Sequence, residues 1–153
     1  MRSIVVAIPM FVMLAPQARA DWEYTRWGMT PEQVVNASGG HVKLLQGAEQ
    51  RTVSPNMRHG ARGTYSDGPV ALQVRFTFDP LDGNGLNCVF YAVTDEQQGP
   101  ALKDLMIKHY GQPSRQGGVA SLGMADLTWE QPDNITLTMS NSDPAFVTHC
   151  KKK

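Results

Sequence analysis

The stretch from Val70 to Phe78, VALQVRFTF, leaves the chain little freedom locally. Val70, Leu72, Val74, Phe76 and Phe78 alternate with Ala71, Gln73, Arg75 and Thr77. A period of two places the first set on one face of a strand and the second on the other. DPLDGNG follows from Asp79 as a turn, and LNCVFYAV from Leu86 returns as a strand that is apolar on both faces. Two strands joined by so short a link must pair antiparallel.

The rest of the pattern is organised around that ribbon. Thr30, Pro31 and Gln33 form an N-terminal capping box with proline at the first helical position, and Met29 and Val34 stand at the staple positions. Gly39-Gly40 stops this helix within about two turns. Trp22 and Trp27 lie on the approach to it and would cover the edge of the core. A second helix is predicted from Pro100 to Tyr110, with Leu102, Leu105, Met106, His109 and Tyr110 along one side, closed by Gly111 and Pro113. Further strands are expected at 41–46, 61–66, 126–130, 135–140 and 146–150. QPDN makes a hairpin turn between two of these. The expected fold class is α+β: two helices packed on one face of a curved antiparallel sheet, in the order helix, about four strands, helix, about three strands.

The first twenty residues read as a secretory leader. Arg2 supplies the positive start, Ile4 to Ala15 the apolar run, and Ala18-Arg19-Ala20 the small residues of a cleavage site. The run is too short for a membrane span, and no later segment approaches the ~20 apolar residues that a span requires. The expectation is a periplasmic or secreted protein, cleaved near Ala20, with one domain over 21–150 and a basic tail at 151–153. The whole chain balances 14 basic against 14 acidic residues, and the leader removes Arg2 and Arg19. Such a balance lacks the concentrated positive field that nucleic acids demand, so no nucleic-acid partner is expected. Cys88 and Cys150 are the only two cysteines, and an oxidising compartment favours their pairing as a structural disulfide.

Motifs for chemistry are sparse. His41, His59, His109 and His149 show no metal-ligand spacing, and a cysteine locked in a disulfide cannot serve as a thiolate ligand. His109, on the apolar side of its helix, reads as a half-buried structural histidine. DPLDGNG offers oxygens at Asp79, Asp82 and Asn84 but fits no calcium-loop register. Ser121 lacks a nucleophile elbow, and no dinucleotide or phosphate-loop glycine pattern occurs. No metal, cofactor or catalytic residue is therefore expected. The outer strand face bearing Gln73, Arg75 and Thr77, beside Tyr91, would suit a polar contact with an aromatic anchor. An ordinary solvated face accounts for the same residues.

RWGMTPEQV, VRFTFDPLDGNGLNCV, LKDLMIKHYGQP and LTWEQPDNITLTM together resemble small exported bacterial proteins of unassigned function. Those are similar to the helix-plus-antiparallel-sheet modules of beta-lactamase inhibitor proteins and of the small outer-membrane assembly lipoprotein. The resemblance spans most of the chain after the leader and implies a binding or assembly role. It carries over no functional residue, and this chain lacks the lipid-attachment cysteine. The expected function is an exported, non-enzymatic binding or interaction module, its partner an envelope protein or a small ligand. The alternative is a small periplasmic enzyme or metal-binding protein whose site joins histidines and carboxylates distant in sequence.

Overall fold

The computed structural model describes residues 22–152. The expected leader, 1–20, and Lys153 lie outside the described residues. In chain order the elements are α1 (Pro31–Ala37), β1 (Val42–Leu44), β2 (Thr52–Ser54), β3 (Met57–Asp67), β4 (Val70–Asp79), β5 (Gly85–Val93), α2 (Gly99–Tyr110), β6 (Arg115–Gly117), β7 (Ala125–Trp129), β8 (Asn134–Met139) and β9 (Phe146–Cys150). All strand pairings among the described residues are antiparallel. They join into one nine-stranded sheet ordered β1-β3-β4-β5-β9-β8-β7-β6, with β2 also paired to β3. The C-terminal strand β9 therefore sits inside the sheet, between β5 and β8.

This arrangement overturns the expectation of an α+β chain with two helices packed on one face of a curved sheet. The chain is mostly antiparallel sheet. Among the described residues only α2, at twelve residues, is a full-length helix. The seven-residue α1 meets β1 and β3. The capping box forms as the sequence indicates: Gln33 N–H donates to Thr30 Oγ1 at 3.4 Å, and Thr30 N–H donates to Gln33 Oε1 at 2.9 Å. Caps fix where a helix starts and say nothing about how much of a sheet it covers. Two short strands escape a pattern search for a related reason. β6 is exposed at all three positions, and β2 is exposed at two of its three, so neither shows the alternation that burial imposes.

One face of the sheet is the core. Val70, Leu72, Val74, Phe76 and Phe78 of β4 are all buried there, which is the alternation of the sequence made physical. Trp22 lies among them, its ring edge-on to Tyr65 at 5.3 Å and to Phe76 at 5.6 Å. Leu102 and Met106 bring α2 onto the same core. The N-terminal segment is stitched to the sheet by backbone hydrogen bonds: Gly28 N–H donates to the Leu86 carbonyl at 2.9 Å, and Leu86 N–H to the Met29 carbonyl at 2.8 Å. Gly28 takes φ +87°, a conformation that side-chain-bearing residues rarely adopt. Trp27 and Gly28 thus seat the chain before α1.

Gly63 on β3 is opposite Val42 on β1. A Cβ there would strike the His41 carbonyl oxygen and Val42 Cγ2. Backbone cannot yield as a flexible side chain does. Gly63→Ala should therefore destabilise the fold by about 1–3 kcal/mol through overpacking, read as a lowered urea midpoint with unchanged slope.

Candidate functional site

The second face of the sheet is left open by both helices. The strand register lays a single row of residues across it: Lys43, Arg62, Arg75, Phe90, Thr148, Thr136, Thr128 and Arg115. Three cations thus stand side by side on β1, β3 and β4. Like charges directly opposite one another on neighbouring strands oppose folding. A violation of local charge rules at one place on a sheet points to a use for the charge there.

Two of the three, Arg62 and Arg75, line a recess of about 350 Å³ together with Leu45, Ala48, Glu49, Arg51 and His59. Its three arginines come from three segments, the loop before β2, β3 and β4. One carboxylate answers them, with Glu49 Oε1 at 2.9 Å from an Arg62 guanidinium nitrogen. Both side chains are more than half exposed, so water screens this pair and its contribution is small. Arg51 and Arg75 make no side-chain hydrogen bond or ion pair among the described residues. His59, also in the lining, is half-buried and edge-on to Phe90 at 6.0 Å. Its backbone N–H donates to the Arg51 carbonyl at 2.9 Å, while its buried Nδ1 has no hydrogen-bond partner. Burial first, then the charges of Arg75 and Arg51, hold His59 below the usual histidine range.

Arg75 also borders a second recess, about 440 Å³, with Gln73, Phe90, Ala92, Met124, Asp143 and Phe146 on its walls. Phe146 is 40% exposed, a large ring left in contact with solvent. Arg75 therefore stands between a basic pocket and an apolar shelf. A larger cavity of about 810 Å³ at the disulfide end of the sheet is lined by Asp79 and Asp82 as well as Lys151 and Lys152, so its charges offset one another.

Of the four residues expected to form an interaction surface, two are exposed on this open face, Gln73 and Arg75. Thr77 is fully buried, its hydroxyl placed 3.0 Å from Asn87 Oδ1 and 3.1 Å from the Cys88 carbonyl. Tyr91 faces the opposite way. It is opposite Val74, 4% exposed, packed on Trp22 and donating to Met106 Sδ at 3.5 Å. Burial pushes its hydroxyl well above the usual tyrosine range. A strand apolar on both sides gives no parity signal, which is why sequence could not assign Tyr91 to a face. Arg51, His59 and Arg62 were not singled out as a group, because only the β2–β3 turn and the β3–β4 register bring them together.

The histidines do not gather. His41 is exposed, and His109 is exposed too, its Nε2 3.0 Å from Asp67 Oδ2, rather than half-buried as the helical pattern suggests. His149 is buried 3.0 Å from Asp133 Oδ2. Among the described residues, no group of three His, Cys, Asp or Glu is placed to hold a metal ion. The DPLDGNG segment is a turn closed by Leu81 N–H donating to Asp79 Oδ1 at 2.9 Å. Cys88 and Cys150 are bonded to each other, on adjacent strands and in direct register. No described helix is long and apolar enough to cross a membrane. Of the basic tail, Lys151 N–H donates to the Asn87 carbonyl at 2.9 Å, and Lys152 Nζ to the Glu130 carbonyl at 3.1 Å.

No family model, curated protein or solved structure matches the chain.

Proposed function

We propose that the chain is an exported, non-enzymatic binding module that engages an acidic envelope component across its open sheet face. One observation carries this reading: among the described residues the Lys43–Arg62–Arg75 row forms a single ion pair, Arg62 with Glu49, and runs directly into the apolar shelf of Phe90 and Phe146. A partner presenting an acidic group to Arg75 and apolar surface to the two rings would complement both halves. The Cys88–Cys150 disulfide supports an oxidising location, and the expected leader supports export.

The test is capture from an envelope extract by the disulfide-intact protein, with metal content measured on the same sample. Arg75→Glu should lose a component that both the unsubstituted protein and Lys108→Glu retain, because Lys108 lies on α2 and outside the open face. Retention unaffected by Arg75→Glu sinks the proposal, as does stoichiometric metal with no captured component.

A further inference from the structure

Three guanidiniums around one small recess ask for more than a generic acidic contact. We infer that the recess bounded by Arg51, His59, Arg62 and Arg75 binds a multiply charged oxyanion, a phosphate-type group carried by the ligand. This deepens the proposed function and rests on the open face being the binding face.

The charge count favours a dianion. Three arginines against Glu49 leave two positive charges without an answer inside the recess. A single carboxylate would neutralise only one of them. Geometry favours a tetrahedral group for a separate reason. A carboxylate presents two oxygens in one plane, whereas a phosphate presents three terminal oxygens in three directions. Arginines arriving from the loop before β2, from β3 and from β4 can each donate to a different oxygen. The Glu49–Arg62 pair, exposed and weak, is a contact that the anion can displace. His59 adds an imidazole whose buried Nδ1 is unused. Phosphate binding would also explain why β3 and β4 tolerate Arg62 and Arg75 in direct opposition.

The same group could arrive as a free phosphate compound or as a lipid headgroup, and two probes separate these. Inorganic pyrophosphate is titrated calorimetrically into the disulfide-intact protein. In parallel, co-sedimentation is measured with phosphatidylcholine vesicles, with and without phosphatidic acid. Saturable binding to either probe supports the site and assigns the source, provided that Arg51→Ala and Arg75→Ala each weaken it about tenfold or more. Arg115→Ala, at the far end of the same row, should leave it unchanged. Glu49→Gln should strengthen binding, a gain that a misfolded variant cannot imitate. Binding to neither probe overturns the inference, and so does binding that Arg115→Ala weakens as much as Arg75→Ala.

The two proposals fail separately. Pyrophosphate binding that depends on Arg75, with envelope capture indifferent to Arg75→Glu, supports the anion site and removes the envelope reading. Capture that depends on Arg75, with no binding to either phosphate probe, overturns the anion site alone.

Discussion

Replacing Asp133 with alanine should destabilise the protein by about 3–5 kcal/mol. Its side chain, 1% exposed, is the acceptor at the centre of a buried polar cluster. Trp27 Nε1 donates to both carboxyl oxygens at 3.2 Å, and His149 Nε2 lies 3.0 Å from Oδ2. Trp27 and Tyr110 flank the His149 ring edge-on at 5.4 and 5.8 Å. Burial, with smaller contributions from Glu23 and Asp133, raises the Tyr110 hydroxyl to about 12. The cluster is buried among aromatic rings, so truncation leaves the His149 imidazole without the acceptor that its Nε2 meets. Asp133→Asn keeps one acceptor oxygen and should cost less. Urea unfolding followed by tryptophan fluorescence measures both. A loss below about 1 kcal/mol for the alanine variant would show that the cluster contributes little.

The second large effect concerns the disulfide. Cys88 and Cys150 are 62 residues apart, and a cross-link closing a loop of that length stabilises by about 4 kcal/mol through the entropy it removes from the unfolded chain. The double variant Cys88→Ala/Cys150→Ala should therefore unfold at a much lower denaturant concentration, and reductant should move the unsubstituted protein toward the same midpoint. The anchored strands are already neighbours in the native sheet, so the native state loses no pairing when the bond is absent. If oxidised, reduced and doubly substituted proteins unfold together, the bond has no role in stability.

How much of this could be read in advance depends on whether burial left a pattern. β4 could be read residue by residue, since one of its faces is core and the other mostly is not. The start of α1 was equally plain, because Thr30, Pro31 and Gln33 act through their own backbone neighbourhood. The pairing of Cys88 with Cys150 followed from compartment chemistry. What failed was the layering: α1 is too short to roof a sheet, and the edge strands β2 and β6 expose nearly every side chain, which erases the signal. The candidate site was half visible. Gln73 and Arg75 could be placed on an outer face from alternation alone, but Arg51, His59 and Arg62 join Arg75 only through a loop and a register that no local pattern encodes. Asp133 sits in a segment whose composition says turn, and nothing in QPDN announces a buried carboxyl. Its partners Trp27 and His149 are far away in sequence and meet it only in the finished fold.

The position of β9 has a consequence for how the molecule comes into being. Residues Phe146–Cys150 are the hinge-pin between two ribbons, β1 to β5 on one side and β6 to β8 on the other. Until those residues are free, the ribbons have no shared border, and Cys150 cannot reach Cys88. The two ribbons therefore become one sheet only when the last of the described strands is laid between them.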